Sequence, residues 1–118
     1  MAQGKATMRV RYVGDQSSVI DIEGEVNSAA ENALMDAYTQ ATSAGARNLI
    51  LNFAGLEYMN SSGIGLLVTL LIRVQRQKQR LLAANLSDHY RQIFELTRLN
   101  EAISIYSSES EAISATGG

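Results

Sequence analysis

Apolar and polar side chains alternate in two short stretches near the start of the chain. In the first stretch, the apolar side chains that share one face are Met8, Val10 and Tyr12. In the second, Ile20 and Ile22 alternate with carboxylates, and Gly14 to Ser17 between the two stretches has the residues of a turn. We therefore predict a β-hairpin whose solvent face sets Arg9 and Arg11 of the first strand against carboxylates of the second.

After Val26 the apolar spacing changes from two residues to between three and four, which is typical of a helix. Asn27 is the predicted N-cap, and Gly45 marks the end of this helix. The side chains on its predicted buried stripe are Ala30, Leu34, Ala37, Tyr38 and Ala41. The near-continuous apolar run from Leu49 to Phe53 then predicts a strand that is covered on both faces.

A second helix is predicted after the polar segment Asn60-Ser61-Ser62. The side chains assigned to its core face are Ile64, Leu67, Val68, Leu71 and Ile72. Leu66 and Leu70 fall outside that face, so they must contact either a neighbouring element or a partner, and burial within the fold is the more common outcome.

The remaining pattern continues the alternation of strands and helices. It predicts a strand at Leu81 to Asn85, a helix capped by Ser87, a strand at Ile103 to Tyr106 and a closing helix at Ser108 to Ala115. The apolar stripe of the helix after Ser87 consists of Tyr90, Ile93, Phe94 and Thr97. We predict one α/β domain over residues 1–118, with an opening hairpin, a mixed and mostly parallel sheet of about five strands, and about four helices.

The composition excludes several classes of protein. The chain has no cysteine, hence no disulfide or cysteine nucleophile, and its net charge of −2 gives no sign of direct nucleic-acid binding. The four cations between Arg73 and Arg80 are interpreted as solvated residues at a helix end. Met1 to Thr7 lacks the apolar core of a signal peptide, and the run from Ile64 to Ile72 is shorter than the about 20 residues that cross a bilayer. We expect a cytoplasmic protein that does not enter a membrane.

Enzyme signatures are incomplete in this chain. Asn60 occupies the position of the first glycine in a Gly-x-Ser-x-Gly elbow, and His89 is the single histidine. Gly63-Ile64-Gly65 is followed neither by the third glycine of a dinucleotide-binding loop nor by the Lys-Ser/Thr of a phosphate-binding loop. These glycines are interpreted as allowing a tight turn and a close approach of the helix. We predict a protein that is not an enzyme and uses no metal or cofactor.

Ser61 and Ser62 have two interpretations. As structure alone, one of the two hydroxyls caps the second helix, since serine is a favoured N-cap residue. As function, one of them accepts a phosphate, which changes the charge of an exposed turn abruptly. Both can hold together, with one serine capping and the other modified, and Ser61 is the first candidate for such a switch.

The segment from Leu49 to Leu71, with Gly24-Glu25-Val26-Asn27 and Phe94-Glu95-Leu96-Thr97-Arg98-Leu99, resembles the STAS domain of stand-alone bacterial anti-sigma factor antagonists. The central motif of that family is Asp-Ser-(Ser/Ala)-Gly-(Leu/Ile)-Gly, and this chain has Asn60-Ser61-Ser62-Gly63-Ile64-Gly65. The resemblance extends from about Met8 to Ala115. It implies that an anti-sigma factor which is itself a serine kinase phosphorylates Ser61. It also implies that the unphosphorylated form binds this partner and frees a sigma factor for transcription, and that a serine phosphatase resets the switch.

The chain departs from the family pattern at two positions. Asn60 stands where the family usually has aspartate directly before the phosphoserine, and Asn27 stands where it often has aspartate. Asparagine can keep the turn and cap hydrogen bonds, so the fold is not affected. The missing charges bear on recognition by the kinase and on any metal or nucleotide contact.

The predicted partner-binding surface lies at the edge of the sheet where the second and third strands end. The residues assigned to it or to its flanks are Asn27, Met59, Asn60, Ser61, Ser62, Gly63, Ile64 and Leu66. The free protein is expected to be a monomer. Two alternative functions stay open, a STAS scaffold subunit of a larger signalling complex and a small-ligand or nucleotide-binding module.

Overall fold

The structure is a computed structural model, and it describes residues 6–117. The strands are β1 (Thr7–Gly14), β2 (Ser17–Val26), β3 (Asn48–Met59), β4 (Arg80–Ala84) and β5 (Ser104–Tyr106). The α-helices are α1 (Glu31–Ser43), α2 (Ser61–Arg76), α3 (Asp88–Leu96) and α4 (Glu109–Ala115). Short 3₁₀ turns, Ser28–Ala30 and Leu99–Glu101, precede α1 and follow α3. Residues 1–5 and 118 of the predicted domain, and with them most of the segment considered for a signal peptide, lie outside the described residues.

The five strands form one sheet in the order β1-β2-β3-β4-β5, so β1 and β5 are its edges. β1 and β2 are antiparallel and form the predicted hairpin, whereas the other neighbours are parallel. The pairing of β3 with β4 ends at Asn52 and Ala84, but its pairing with β2 continues to Val26 and Met59. The α/β class and the mixed, mostly parallel sheet are confirmed, and the carboxyl ends of β2 and β3 extend beyond the rest of the sheet.

Helices cover both faces of the sheet. The main core lies between one face and α1, α2 and α3, and it includes every residue of the predicted α1 stripe. A smaller cluster on the other face contains Val19, Ile50 and Leu82 and is closed by Ala112 of α4. The prediction of a strand covered on both sides is confirmed because Leu49 and Leu51 belong to the main core and Ile50 to the smaller cluster.

The predicted core face of α2 is partly wrong. The side chains that α2 buries in the main core are Leu66, Leu67, Leu70 and Val74. Val68 and Ile72, which were assigned to the core face, are 40% and 46% exposed. From Ile64 to Ile72 the helix is apolar on nearly all sides, so spacing alone does not select the buried face. The contact of its first turn with β2, described below, selects it.

Two further residues that were placed on apolar faces are exposed. The pairing of β1 with β2 is irregular between Tyr12 and Gly14, and Tyr12 projects into solvent while Val13 contacts the smaller cluster under α4. At the other end of the chain, α3 ends at Leu96, so Thr97 lies past the helix and is exposed. In the first case the irregular pairing interrupts the two-residue alternation of the strand. In the second, the helical spacing stops where α3 ends.

An arginine joins α4 to the sheet. Arg11 donates from Nε and Nη2 to the carboxylate of Asp21 at 2.6 and 2.8 Å, and from Nη1 and Nη2 to Glu109 at 3.1 and 2.6 Å. Asn52 of β3 donates to the same Asp21 carboxylate at 2.8 Å. The predicted pairing of arginine with carboxylate across the hairpin is thus present between Arg11 and Asp21. Hydrogen bonds from Arg11, and then from Asn52, lower the pKa of Asp21.

Asp21→Asn is expected to make the stability less dependent on pH in acid. Because the pKa of Asp21 is lower in the folded protein than in the unfolded chain, the unfolded state binds more protons between these two pKa values. The stabilisation is fully present above about pH 4 and is lost as the pH falls through the folded-state pKa. Urea unfolding between about pH 6 and about pH 3 should therefore show a steeper decline for wild type than for the variant. Asp36→Asn, at an exposed position of α1, is the control, and equal slopes for wild type and Asp21→Asn would contradict the role of the Arg11 contact.

Candidate functional site

The candidate site lies where β2 and β3 end and the next helical segments begin. Val26 and Met59, the last residues of the two strands, are paired in the sheet. Because the strands are parallel, the residues that follow them, Asn27 and Asn60, emerge at the same edge. The structure therefore brings these two asparagines to one edge, together with Ser61 and Ser62 at the start of α2.

Both asparagines are N-caps, but Asn27, the predicted cap of α1, caps the 3₁₀ turn that precedes this helix, and Asn60 caps α2. The side chain of Asn60 accepts a hydrogen bond from the backbone N–H of Gly63 at 2.9 Å, and that of Asn27 accepts from the N–H of Ala29 at 2.9 Å. The prediction that Ser61 or Ser62 caps α2 is wrong, because the extended backbone required of an N-cap occurs one residue earlier, at Asn60. Neither serine hydroxyl is needed to begin the helix.

Ser61 and Ser62 are the first two residues of α2, and both are exposed. The first turn of a helix has backbone N–H groups without helical acceptors and carries a partial positive charge. A negative group on either serine would therefore be favoured by the electrostatics of the helix itself. The arrangement can accept a phosphate without opposing the helix on which it stands.

Gly63 allows α2 to approach the end of β2. A Cβ atom at this position would lie 2.3 Å from the carbonyl oxygen of Val26 and 2.7 Å from Cγ of Met59. The same Val26 carbonyl accepts a hydrogen bond from the N–H of Asn60 at 3.3 Å. The expected close approach is confirmed for Gly63, whereas a Cβ at Gly65 would meet no atom within 4 Å from residues 6–117 outside its own stretch of helix.

The predicted surface residues differ in exposure. Met59 and Leu66 are only 3% and 8% exposed, because Met59 ends a core strand and Leu66 points from α2 into the main core. The prediction that these two side chains flank the surface is therefore wrong, because both lie beneath it in the main core. Asn27, Asn60 and Ile64 are half-buried.

Sequence reasoning missed two features of this region. Val68 and Ile72 extend the exposed face of α2 beyond Ser61, and the only signal for them is that the helix is apolar on nearly all sides. Tyr90 of α3 contacts the backbone of Met59, and the signal for this is that a tyrosine on a buried stripe needs a hydrogen-bond partner for its hydroxyl.

Within residues 6–117, no three His, Asp or Glu side chains are grouped so that they could hold a metal ion. The helices of this part of the chain are also too short or too polar to cross a membrane. A depression of about 670 Å³ lies beside α3 and one of about 400 Å³ lies at the C-terminal end of α2, and Ser61 lines neither.

Comparison with known protein families identifies the chain. Residues 9–112 match the model of the STAS domain. The chain belongs to the STAS domain family. Its sequence is similar to the anti-sigma-B factor antagonist of Staphylococcus aureus, with 25% identity over 91 residues, which cover 77% of this chain and 84% of the relative.

Solved STAS structures share the fold. SpoIIAA in its unphosphorylated form is 24% identical, with a TM-score of 0.75 over 95% of this chain and 99% of that one. The phosphorylated form of the same Bacillus protein gives 24% identity and a TM-score of 0.72, with 93% and 99% covered. An anti-sigma factor antagonist from Mycobacterium paratuberculosis is 20% identical, with a TM-score of 0.77 over 97% and 96%. The predicted STAS-like fold is confirmed.

Gly63→Ala is expected to destabilise this STAS domain, whereas Gly65→Ala should not. The added methyl at Gly63 collides with the backbone carbonyl of Val26, and such overpacking costs about 1–3 kcal/mol. Gly65 has free space around it in the interior of α2, so alanine there should stabilise by about 0.5–1 kcal/mol. Urea unfolding of the two variants measures both changes, and equal effects would contradict the close approach.

Asn60→Ala and Asn60→Asp are expected to distinguish the contribution of the cap hydrogen bond to stability from that of a negative charge at the same position. Alanine removes the acceptor for the Gly63 N–H and should cost about 1 kcal/mol. Aspartate keeps the acceptor and adds a negative charge at the helix N-terminus, so its stability should equal or exceed that of wild type by about 0.3–1 kcal/mol. Thermal unfolding followed by circular dichroism tests both. Unchanged stability of Asn60→Ala would show that a serine can cap α2 instead.

Proposed function

We propose that this STAS protein is an anti-sigma factor antagonist whose binding to an anti-sigma factor is switched by phosphorylation of Ser61. The observation that carries the proposal is the division of roles in the first turn of α2. Asn60 caps the helix, so within residues 6–117 the exposed hydroxyl of Ser61 makes no structural hydrogen bond that a kinase would have to break.

Family and relatives support the same conclusion. The S. aureus relative is named as an anti-sigma-B factor antagonist, and the fold is that of SpoIIAA, which has been solved both with and without phosphate. The similar TM-scores to the two forms agree with a fold that holds either state. These are regulatory binding proteins, and the chain is accordingly not an enzyme.

The partners follow from this role. The anti-sigma factor is proposed to be a serine kinase that phosphorylates Ser61 while it is bound, and a serine phosphatase is proposed to return the protein to its binding state. Both act where sigma factors act, so the protein works in the cytoplasm. It affects transcription through its partner without contacting nucleic acid, and it is a monomer when free.

The proposed binding surface combines the edge of the sheet with one face of α2. At the edge it includes Asn27, Asn60, Ser61, Ser62 and Ile64, whereas Gly63, which the sequence also assigns to this surface, is buried beneath them. Ser61, Gly65, Val68 and Ile72 then follow one another at intervals of four, three and four residues, so they share one face of the helix. This exposed face is apolar beyond the serine, which suits a surface that is covered in a complex.

Phosphorylation would act on binding and not on folding. A phosphoserine carries a charge of about −1.5 to −2 at neutral pH. Inside a fitted interface, this charge must lose water and oppose any carboxylate of the partner, and each effect weakens the complex. At the first position of α2 the same charge lies at the positive end of the helix, so the free domain keeps its stability.

The test is phosphorylation and binding of Ser61 variants with candidate anti-sigma factors of the same organism. Ser61→Ala is expected to abolish incorporation of phosphate from ATP while still binding the partner. Ser61→Asp is expected to weaken binding at least about tenfold, equivalent to about 1.4 kcal/mol, since it places a charge where the phosphate would be. Mass spectrometry locates the phosphate, and calorimetry measures the dissociation constants.

Ser62 offers a matched control because it is exposed on the next residue of the same turn. Ser62→Ala should still be phosphorylated at Ser61, and thermal unfolding should show all variants folded. Phosphate that remains on Ser61→Ala, or equal binding by Ser61→Asp and wild type, would overturn the proposal.

A further inference from the structure

The end of β3 lacks a neighbouring strand on one side. β4 pairs with β3 only as far as Asn52, so from Phe53 to Met59 β3 has no partner strand on that side within residues 6–117. At the last residue of β3, Tyr90 of α3 supplies the hydrogen bonds that a neighbouring strand would otherwise supply. Its hydroxyl oxygen accepts a hydrogen bond from the N–H of Met59 at 2.8 Å and donates a longer one, 3.4 Å, to the Met59 carbonyl. One phenol thus contacts both backbone groups as a strand would.

α3 is firmly placed to make this contact. Ser87 caps the helix, Tyr90 is only 7% exposed, and Phe94 one turn later is fully buried. The ring of Phe94 meets that of Phe53 on β3 edge to face, with 6.3 Å between centroids. The Tyr90 hydroxyl therefore projects from a fixed helix onto the unpaired side of β3.

The backbone held by Tyr90 is two residues from Ser61. On the opposite side, the carbonyl of Val26 accepts from the N–H of Asn60. The turn between β3 and α2 is thus fixed from β2 on one side and from α3 on the other. Without the Tyr90 hydroxyl, the N–H of Met59 would be buried and unpaired, and the turn could regain a partner only by moving.

We infer that Tyr90 is a positioning residue that holds Ser61 in the geometry its kinase accepts. The inference rests on the proposed phosphorylation of Ser61, and it adds α3 to the elements that control that site. Phosphoryl transfer depends steeply on the position of the attacking hydroxyl, because small misplacements of a reacting group lower the rate by large factors. Tyr90 does not touch the serine and acts through the backbone from Met59 to Asn60.

Tyr90→Phe removes the hydroxyl and keeps the ring. The structure offers a matched control in Tyr38 on α1, which is 6% exposed and donates from its hydroxyl to Oε1 of Gln79 at 2.8 Å. Tyr38 contacts the carbonyl of Arg73 near the C-terminal end of α2, about 18 Å along the helix from Ser61. Tyr38→Phe therefore deletes an equally buried phenol bond at the far end of the same helix.

Two measurements on the full chain test the inference. Amide hydrogen exchange followed by NMR reports the order of the turn from Met59 to Gly63, and it needs no partner. Steady-state phosphorylation by the anti-sigma kinase reports the position of Ser61. We expect Tyr90→Phe to lose protection at Met59 and to be phosphorylated about tenfold more slowly at saturating protein, with a smaller change in KM. Tyr38→Phe should change neither, even where its overall stability falls equally.

Equal exchange from Met59 to Gly63 and equal phosphorylation rates in the two variants would overturn the inference. A Met59 amide that exchanges in wild type as fast as an exposed amide would overturn it as well, and this arm holds even if Tyr90→Phe does not fold. If wild type is never phosphorylated on Ser61, the proposed function fails instead. The exchange data then decide alone whether Tyr90 orders the turn.

Discussion

The contact between the first turn of α2 and the last residue of β2 decides which face of α2 is buried and which face is exposed. Because Gly63 has no side chain, the Val26 carbonyl can lie where a Cβ would be, and the helix is fixed in rotation about its own axis. That rotation turns Leu66, Leu67 and Leu70 into the core. It also leaves Ser61 and the face beyond it in solvent.

Much of the fold can be predicted from the sequence because its signals are local. The period of two before Val26 predicts the hairpin, the period of three to four after it predicts α1, and the cap residue Ser87 predicts the start of α3, and the structure contains each of these elements. The buried face of α2 could not be predicted in the same way, since a helix that is apolar on nearly all sides has no distinct stripe. A long-range contact had to select it.

The roles of the residues in the candidate site could not all be predicted from local sequence either. Asn60, Ser61 and Ser62 are all good N-cap residues, and only the position where β3 ends decides that Asn60 is the cap. The role of Tyr90 depends on a backbone group 31 residues earlier in the chain, which no local pattern encodes. Asn60 and, from α3, Tyr90 hold the backbone of this turn, whereas Ser61 and Ser62 present exposed side chains. A modification can then change the surface while the structure beneath it stays in place.

The two edges of the sheet have a consequence for how the molecule associates. β1, one edge, presents Arg9 to solvent and is irregular between Tyr12 and Gly14, while β5, the other edge, is three residues long. Charge, irregular pairing and short length each make an edge a poor template for a strand from another molecule. Growth of the sheet from chain to chain through β1 or β5 is therefore disfavoured, even in concentrated solution. This leaves the helical faces and the unpaired end of β3 open to a partner, and a contact on a helical face can form and be released without rearranging the sheet.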